Sequence, residues 1–141
     1  MSSQIEFFNE SPSGIALDEE DAKRILTAVM RDLGYPEFSI NVISLEDNAL
    51  REMKKAYFDQ DVFTDIISFN IDTDPLEGEL YISPERIRAN ADSYGQPLER
   101  EFARILIHGA CHLCGYDDIS EEEKKEMTDL ENRFLTQYVD K

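Results

Sequence analysis

Apolar residues recur along this chain with two periods, and the switching between them marks out its elements. A short apolar run predicts a first strand over 5–8. Ala22, Ile25, Leu26, Val29 and Leu33 then repeat at helical spacing, which predicts a helix over 17–33 with Asp18 as its cap and Gly34 as its stop. Phe38, Ile40 and Val42 alternate with polar residues, the pattern of a strand over 38–44. A second helix is expected over 47–57, with Leu50, Met53 and Tyr57 turned inward. After a polar loop at 58–64, the stretch 65–71 is nearly continuously apolar, which suits a buried central strand. Turn residues fill 72–78, and a short strand follows at 79–82. Ser83 and Pro84 read as the cap and first residue of a helix that reaches Tyr94 and stops at Gly95. Pro97 opens another over 97–114, where Phe102, Ile105, Leu106, Ile107 and Leu113 nearly surround the axis, so this helix should be central. Ser120 with Glu123 forms a capping box for a last helix that buries Met127, Leu130, Phe134 and Tyr138.

This order predicts an α+β fold with α/β-like crossovers. Helical connections join parallel strands, whereas the short link at 72–78 suits an antiparallel pair. The expected architecture is one domain over 1–141: a four-stranded mixed sheet, three strands parallel and one antiparallel, packed with about five helices.

Composition narrows the function. Acids outnumber bases by 31 to 14, a formal charge of −17. Such a chain repels nucleic acid at long range, so any binding to RNA by the isolated protein should be weak and strongly salt-dependent. No apolar run is long enough to span a membrane. The start, Met1-Ser-Ser-Gln, lacks a basic region followed by an apolar one, so the expected location is the cytoplasm. Cys111 and Cys114 sit three apart on one predicted helix and read as reduced thiols.

The chemistry concentrates in His108-Gly-Ala-Cys-His112-Leu-Cys-Gly115-Tyr-Asp-Asp118, which holds both histidines of the chain. Residues four apart lie on one helix face, so the imidazoles should stack one above the other. Gly115 falls where a left-handed residue would end the helix and swing Asp118 back toward them. Two imidazoles and a carboxylate make a three-donor site with open positions, the form of a catalytic metal centre. Cys111 is the rival third donor, about 60° from His108 around the helix. Asp117 is either a hydrogen-bond partner of a ligand or a proton carrier. A zinc peptidase with this spacing carries Glu after the first His as general base; here that residue is Gly109.

The stretch resembles the signature H-G-x-x-H-x-x-G-(Y/H)-D-H of the YbeY family of bacterial metal-dependent endoribonucleases. His108, Gly109, His112, Gly115, Tyr116 and Asp117 fit it, and Asp118 stands where the family has its third metal-binding His. A second landmark, L-N-x-x-(Y/F)-R-x-x-x-x-P-T-D-V-L-S-F, is echoed from Met53 to Phe58 and from Phe63 to Phe69, with Phe58 at the place of the family's Arg. Gly78 to Ser83 resembles the family's G-D-I-x-I-S. The resemblance covers most of the chain and implies the same architecture. It implies cleavage of single-stranded RNA during ribosomal RNA maturation, with the ribosome or its proteins as partners and no membrane. It also implies one divalent metal per chain, held by His108, His112 and Asp118, with His108, His112 and Asp117 as catalytic residues. Imidazole ligands favour zinc. Ser68 would line the cleft. Arg51, Lys54, Lys55 and Arg104 are candidate phosphate contacts, the first three in place of the absent Arg. The alternatives are a non-catalytic ribosome-assembly or protein-binding module that kept the fold, and a metal-dependent peptidase or amidohydrolase.

Overall fold

The computed structural model describes residues 3–140. Its elements follow the predicted order: β1 (Gln4–Asn9), α1 (Glu19–Asp32), β2 (Phe38–Ser44), α2 (Asp47–Phe58), β3 (Ile66–Thr73), β4 (Leu76–Ile82), α3 (Pro84–Tyr94), α4 (Leu98–Leu113) and α5 (Glu121–Tyr138). The sheet order is β1-β2-β4-β3. β1, β2 and β4 run parallel, and β3 pairs with β4 antiparallel. The expected sheet of three parallel strands and one antiparallel is therefore present.

The helix starts are capped as their sequences predict. Asp18 accepts a hydrogen bond from the Glu20 amide, and Ser83 from the Arg86 amide. Ser120 and Glu123 exchange the two bonds of a capping box. Pro97 is the cap of α4 rather than its first residue.

Three local expectations are corrected. The apolar stretch over 65–71 is an edge strand, not a central one. Only Ile66 and Ile67 at its start are buried, while Asn70 to Thr73 are exposed. Its Phe69 is covered by Tyr57 and Phe58 at the end of α2 and meets Tyr81 of β4 edge-on. The turn predicted over 72–78 is much tighter, because β3 continues to Thr73 and β4 starts at Leu76. An irregularity between Asn70 and Asp72 leaves Ile71 out of the register. Tyr57, expected inward, is 68% exposed.

α4 is the centre of the molecule. Phe102, Ile105, Leu106, Ile107, Ala110, Cys111 and Leu113 are all buried, and α1, α3, α5, β3 and β4 pack around them. Each such large side chain removed from water contributes about 1.5–3 kcal/mol. The helix approaches the sheet closely because two glycines leave room. A Cβ on Gly109 would lie 2.6 Å from Ile66 Cδ1 and 2.8 Å from Leu80 Cδ2. A Cβ on Gly78 of β4 would lie 2.7 Å from Leu113. The close seam fixes the height at which the opposite, polar side of α4 stands.

Candidate metal centre

His108 and His112 sit one turn apart on that polar side. Their ring centroids are 4.7 Å apart, and the two Nε2 atoms face each other at 3.1 Å. α4 then ends in a Schellman turn. The Gly115 amide donates to the His112 carbonyl and the Tyr116 amide to the Cys111 carbonyl, both at 3.0 Å. Gly115 has φ 96°, a conformation that a side chain would strain. The turn brings Asp118 back as predicted. Its Oδ2 lies 3.4 Å from His108 Nε2 and 3.7 Å from His112 Nε2.

These three donors fit a metal ion. Bonds of ~2.0–2.2 Å at tetrahedral angles place donor atoms about 3.3–3.6 Å apart, close to the separations here. His108, His112 and Asp118 form a group whose ligand atoms all lie within 4.8 Å of one another. Cys111 does not join them. It is fully buried among apolar neighbours, and burial, with the charge of Glu131, pushes its thiol up to about 12. Asp117 is 60% exposed, and its Oδ1 lies 3.9 Å from His112 Nδ1, beyond hydrogen-bonding distance. It borders the two histidines from outside.

Behind the histidines lies a buried charged network that the sequence reading did not assemble. Glu131 of α5 bonds to His108 Nδ1 with one oxygen. Its other oxygen accepts from Arg104 Nη1 at 3.2 Å. Arg104 also binds both oxygens of the buried Glu101. The guanidinium offsets two carboxylates that would otherwise be costly to bury, and it is held well above its usual range by them. Arg104 is therefore a structural counter-ion behind the site rather than a phosphate contact at its mouth. Burial favours neutral His108, but the hydrogen bond and charge of Glu131, with Asp118 and Asp65, outweigh it and raise its pKa. His112, with burial and the neighbouring His108 both opposing its charge, is lowered. Glu131 had a signal in the sequence: it is an acid between Met127 and Phe134 on the apolar stripe of α5.

The donors open onto a cavity of about 530 Å³, within the range of ligand pockets. Lys54, Phe58, Thr64, Asp65, Ser68, Asn70, Asp117 and Ile119 share its wall with the three donors. Lys54 and Ser68 are therefore both on this wall. The Ser68 hydroxyl is buried without a hydrogen-bond partner. Asp65 is a further acid of this wall; burial raises its pKa against the opposing charges of His108 and Arg104. Asn70 donates to the Leu113 carbonyl at 2.8 Å and ties β3 to the end of α4. Arg51 and Lys55 do not line the cavity. Arg51 is paired with Asp61 at 2.7 Å and lies over the Phe63 ring, where it fastens the loop after α2.

Known proteins are similar to this chain over most of its length. A family model described as Endoribonuclease YbeY matches residues 7–139. The protein named Endoribonuclease YbeY from Flavobacterium psychrophilum is 42% identical over 111 residues, covering 78% of this chain and 79% of its own. That from Christiangramia forsetii is 34% identical over 125 residues, covering 88% and 87%. In three dimensions the chain is similar to the solution structure of TM1509 from Thermotoga maritima, with a TM-score of 0.64 at 24% identity over 95% of this chain and 91% of that one. The match to the family model runs from within β1 to the end of α5, and the chain belongs to the YbeY family.

Proposed function

We propose that this chain is a metal-dependent endoribonuclease that cuts single-stranded RNA in ribosomal RNA maturation. Its family, and the curated names of its relatives, support the nuclease reading. The observation that carries it is the convergence of His108 Nε2, His112 Nε2 and Asp118 Oδ2 at one wall of an open cavity. A bound divalent cation, zinc in this proposal, would supply Lewis-acid stabilisation of charge on a phosphoryl oxygen. The protein's own groups do the rest. Glu131 fixes the His108 ring so that Nε2 faces the cavity. Lys54 brings an ammonium to the mouth, where it can meet a phosphate. RNA carries its own nucleophile, the 2′-OH held beside phosphorus, so the site needs little more than orientation and charge. Asp117 and Asp65 are the carboxylates on the wall able to take its proton.

Gly109 argues against peptide cleavage in a way that the sequence alone did not reveal. The position faces Ile66 and Leu80, so a Glu there would point into the core and not at the donors. The reading places the chain in the cytoplasm, with precursor ribosomal RNA as substrate and the ribosome as its setting. Among the described residues, no helix is long and apolar enough to cross a membrane.

The test is a parallel assay of zinc-loaded protein on single-stranded RNA, DNA of the same sequence and casein, with His112→Ala as control. RNA alone should be cut, and only by the parent. Casein hydrolysis lost in the control would replace this reading with a peptidase. Phe58 at the place of the family's Arg favours a second reading, an assembly factor without catalysis, and inactivity on all three substrates would select it.

A further inference from the structure

We propose that Phe58, with Lys54 beside it, is a stacking subsite for one unpaired nucleobase at the mouth of the metal cavity. The inference rests on the ribonuclease reading and adds to it how the strand is held.

Phe58 is the last residue of α2, and its ring is 43% exposed. It is also held in place. Phe69 stacks against it with centroids 5.9 Å apart and planes 25° apart. Phe69 is braced edge-on by Tyr57 at 5.4 Å and by Tyr81 at 5.8 Å. An exposed ring on a fixed aromatic base loses little freedom when a planar ligand covers it. Lys54 lies one turn earlier, with Nζ over the Phe58 ring at 4.7 Å from its centroid, so a base takes the place of the ammonium on that face and releases it toward a phosphate. Both residues share the cavity wall with His108, His112 and Asp118. A base on the ring would place its own phosphate near the ammonium and the neighbouring one toward the donors.

The charge of the molecule favours this kind of contact. With a formal charge of −17, attraction to phosphates is a poor source of affinity. Stacking needs no charge, and every base offers a π face to it. Bases in a duplex keep their faces covered, so the subsite would also select single strands.

The chain contains no tryptophan, so Phe58→Trp introduces one indole as a reporter at the subsite. The probe is a twelve-nucleotide 2′-O-methyl RNA, which binds but cannot be cut, used single-stranded, as a duplex, and with one abasic nucleotide moved along it. The single strand should quench the indole and the duplex should not. Phe58→Leu should raise Kd for the single strand about ten-fold, with unchanged thermal melting. An abasic nucleotide at one position should weaken the parent equally and leave Phe58→Leu indifferent. If Phe58→Leu binds like the parent, the subsite is overturned. The nuclease reading then stands or falls on whether unmodified RNA is still cut by the parent and not by His112→Ala. Ring-dependent binding without any cutting supports the subsite and removes the enzyme. Absence of binding overturns the subsite.

Discussion

A histidine offers a cation only the nitrogen that carries no proton, and at His108 the choice belongs to Glu131. By accepting a hydrogen bond from Nδ1–H, the carboxylate leaves the Nε2 lone pair facing His112 and Asp118. Glu131→Gln keeps the shape but gives up the charge, and should lower zinc affinity about ten-fold, as seen when such outer partners are changed. Competition with a chromophoric chelator would measure it; unchanged affinity would mean that packing alone orients the ring. Asp118 acts directly. Asp118→Ala should cost more than that ten-fold, while Asp118→His should keep zinc binding and raise, or leave unchanged, the rate of RNA cleavage. A carboxylate adds negative charge to the site and lowers the Lewis acidity of the metal relative to imidazole. If Asp118→Ala binds zinc as the parent does, water takes the third position, since Cys111 is buried away from the cluster.

Among the elements, α4 carries the site because it lies against the sheet at Gly109 and Gly78. Gly109→Ala would drive a methyl group into Ile66 and Leu80, and overpacking of this kind costs about 1–3 kcal/mol. The expected result is a lower denaturation midpoint in urea with an unchanged slope. α4, α5 and α1 were legible in the sequence because each shows a strong helical pattern bounded by caps. The donors were legible too, since His108, His112 and Asp118 lie within eleven residues. What was not legible came from afar. β3 was misjudged because an apolar run does not say what covers it, and here the cover is Tyr57 and Phe58. The pairing of Arg104 is not legible because Glu131 reaches it from α5, although Glu101 lies one turn before it on α4.

For the molecule as a whole, the question is how so acidic a chain meets a polyanion. The cavity wall holds one ammonium, Lys54, against three carboxylates, Asp65, Asp117 and Asp118. A single phosphate contact on a single strand gives a slope of about −0.7 for log K against log salt. RNA affinity should therefore fall gently with salt, more gently than the charged residues of α2 suggest. Lys54→Ala should flatten the dependence and Lys55→Ala should not change it. Filter binding across a salt series checks this, and a slope near −3 would mean that a basic surface elsewhere does the work. A chelator should weaken binding as well as cleavage, because it leaves three carboxylates facing the strand.

The seam between α4 and the sheet also sets how the site moves. His108 and His112 ride on a helix whose other sides are packed into the core, so their amides have no local route to solvent. The segment 59–63 belongs to no helix or strand and is exposed. In a hydrogen–deuterium exchange experiment, the amides of 105–112 should exchange only through global unfolding, and those of 60–63 within the earliest time points. The donor half of the cavity and the braced Phe58 are then fixed walls, and the backbone of the loop that follows Phe58 is the part that can adjust to the strand.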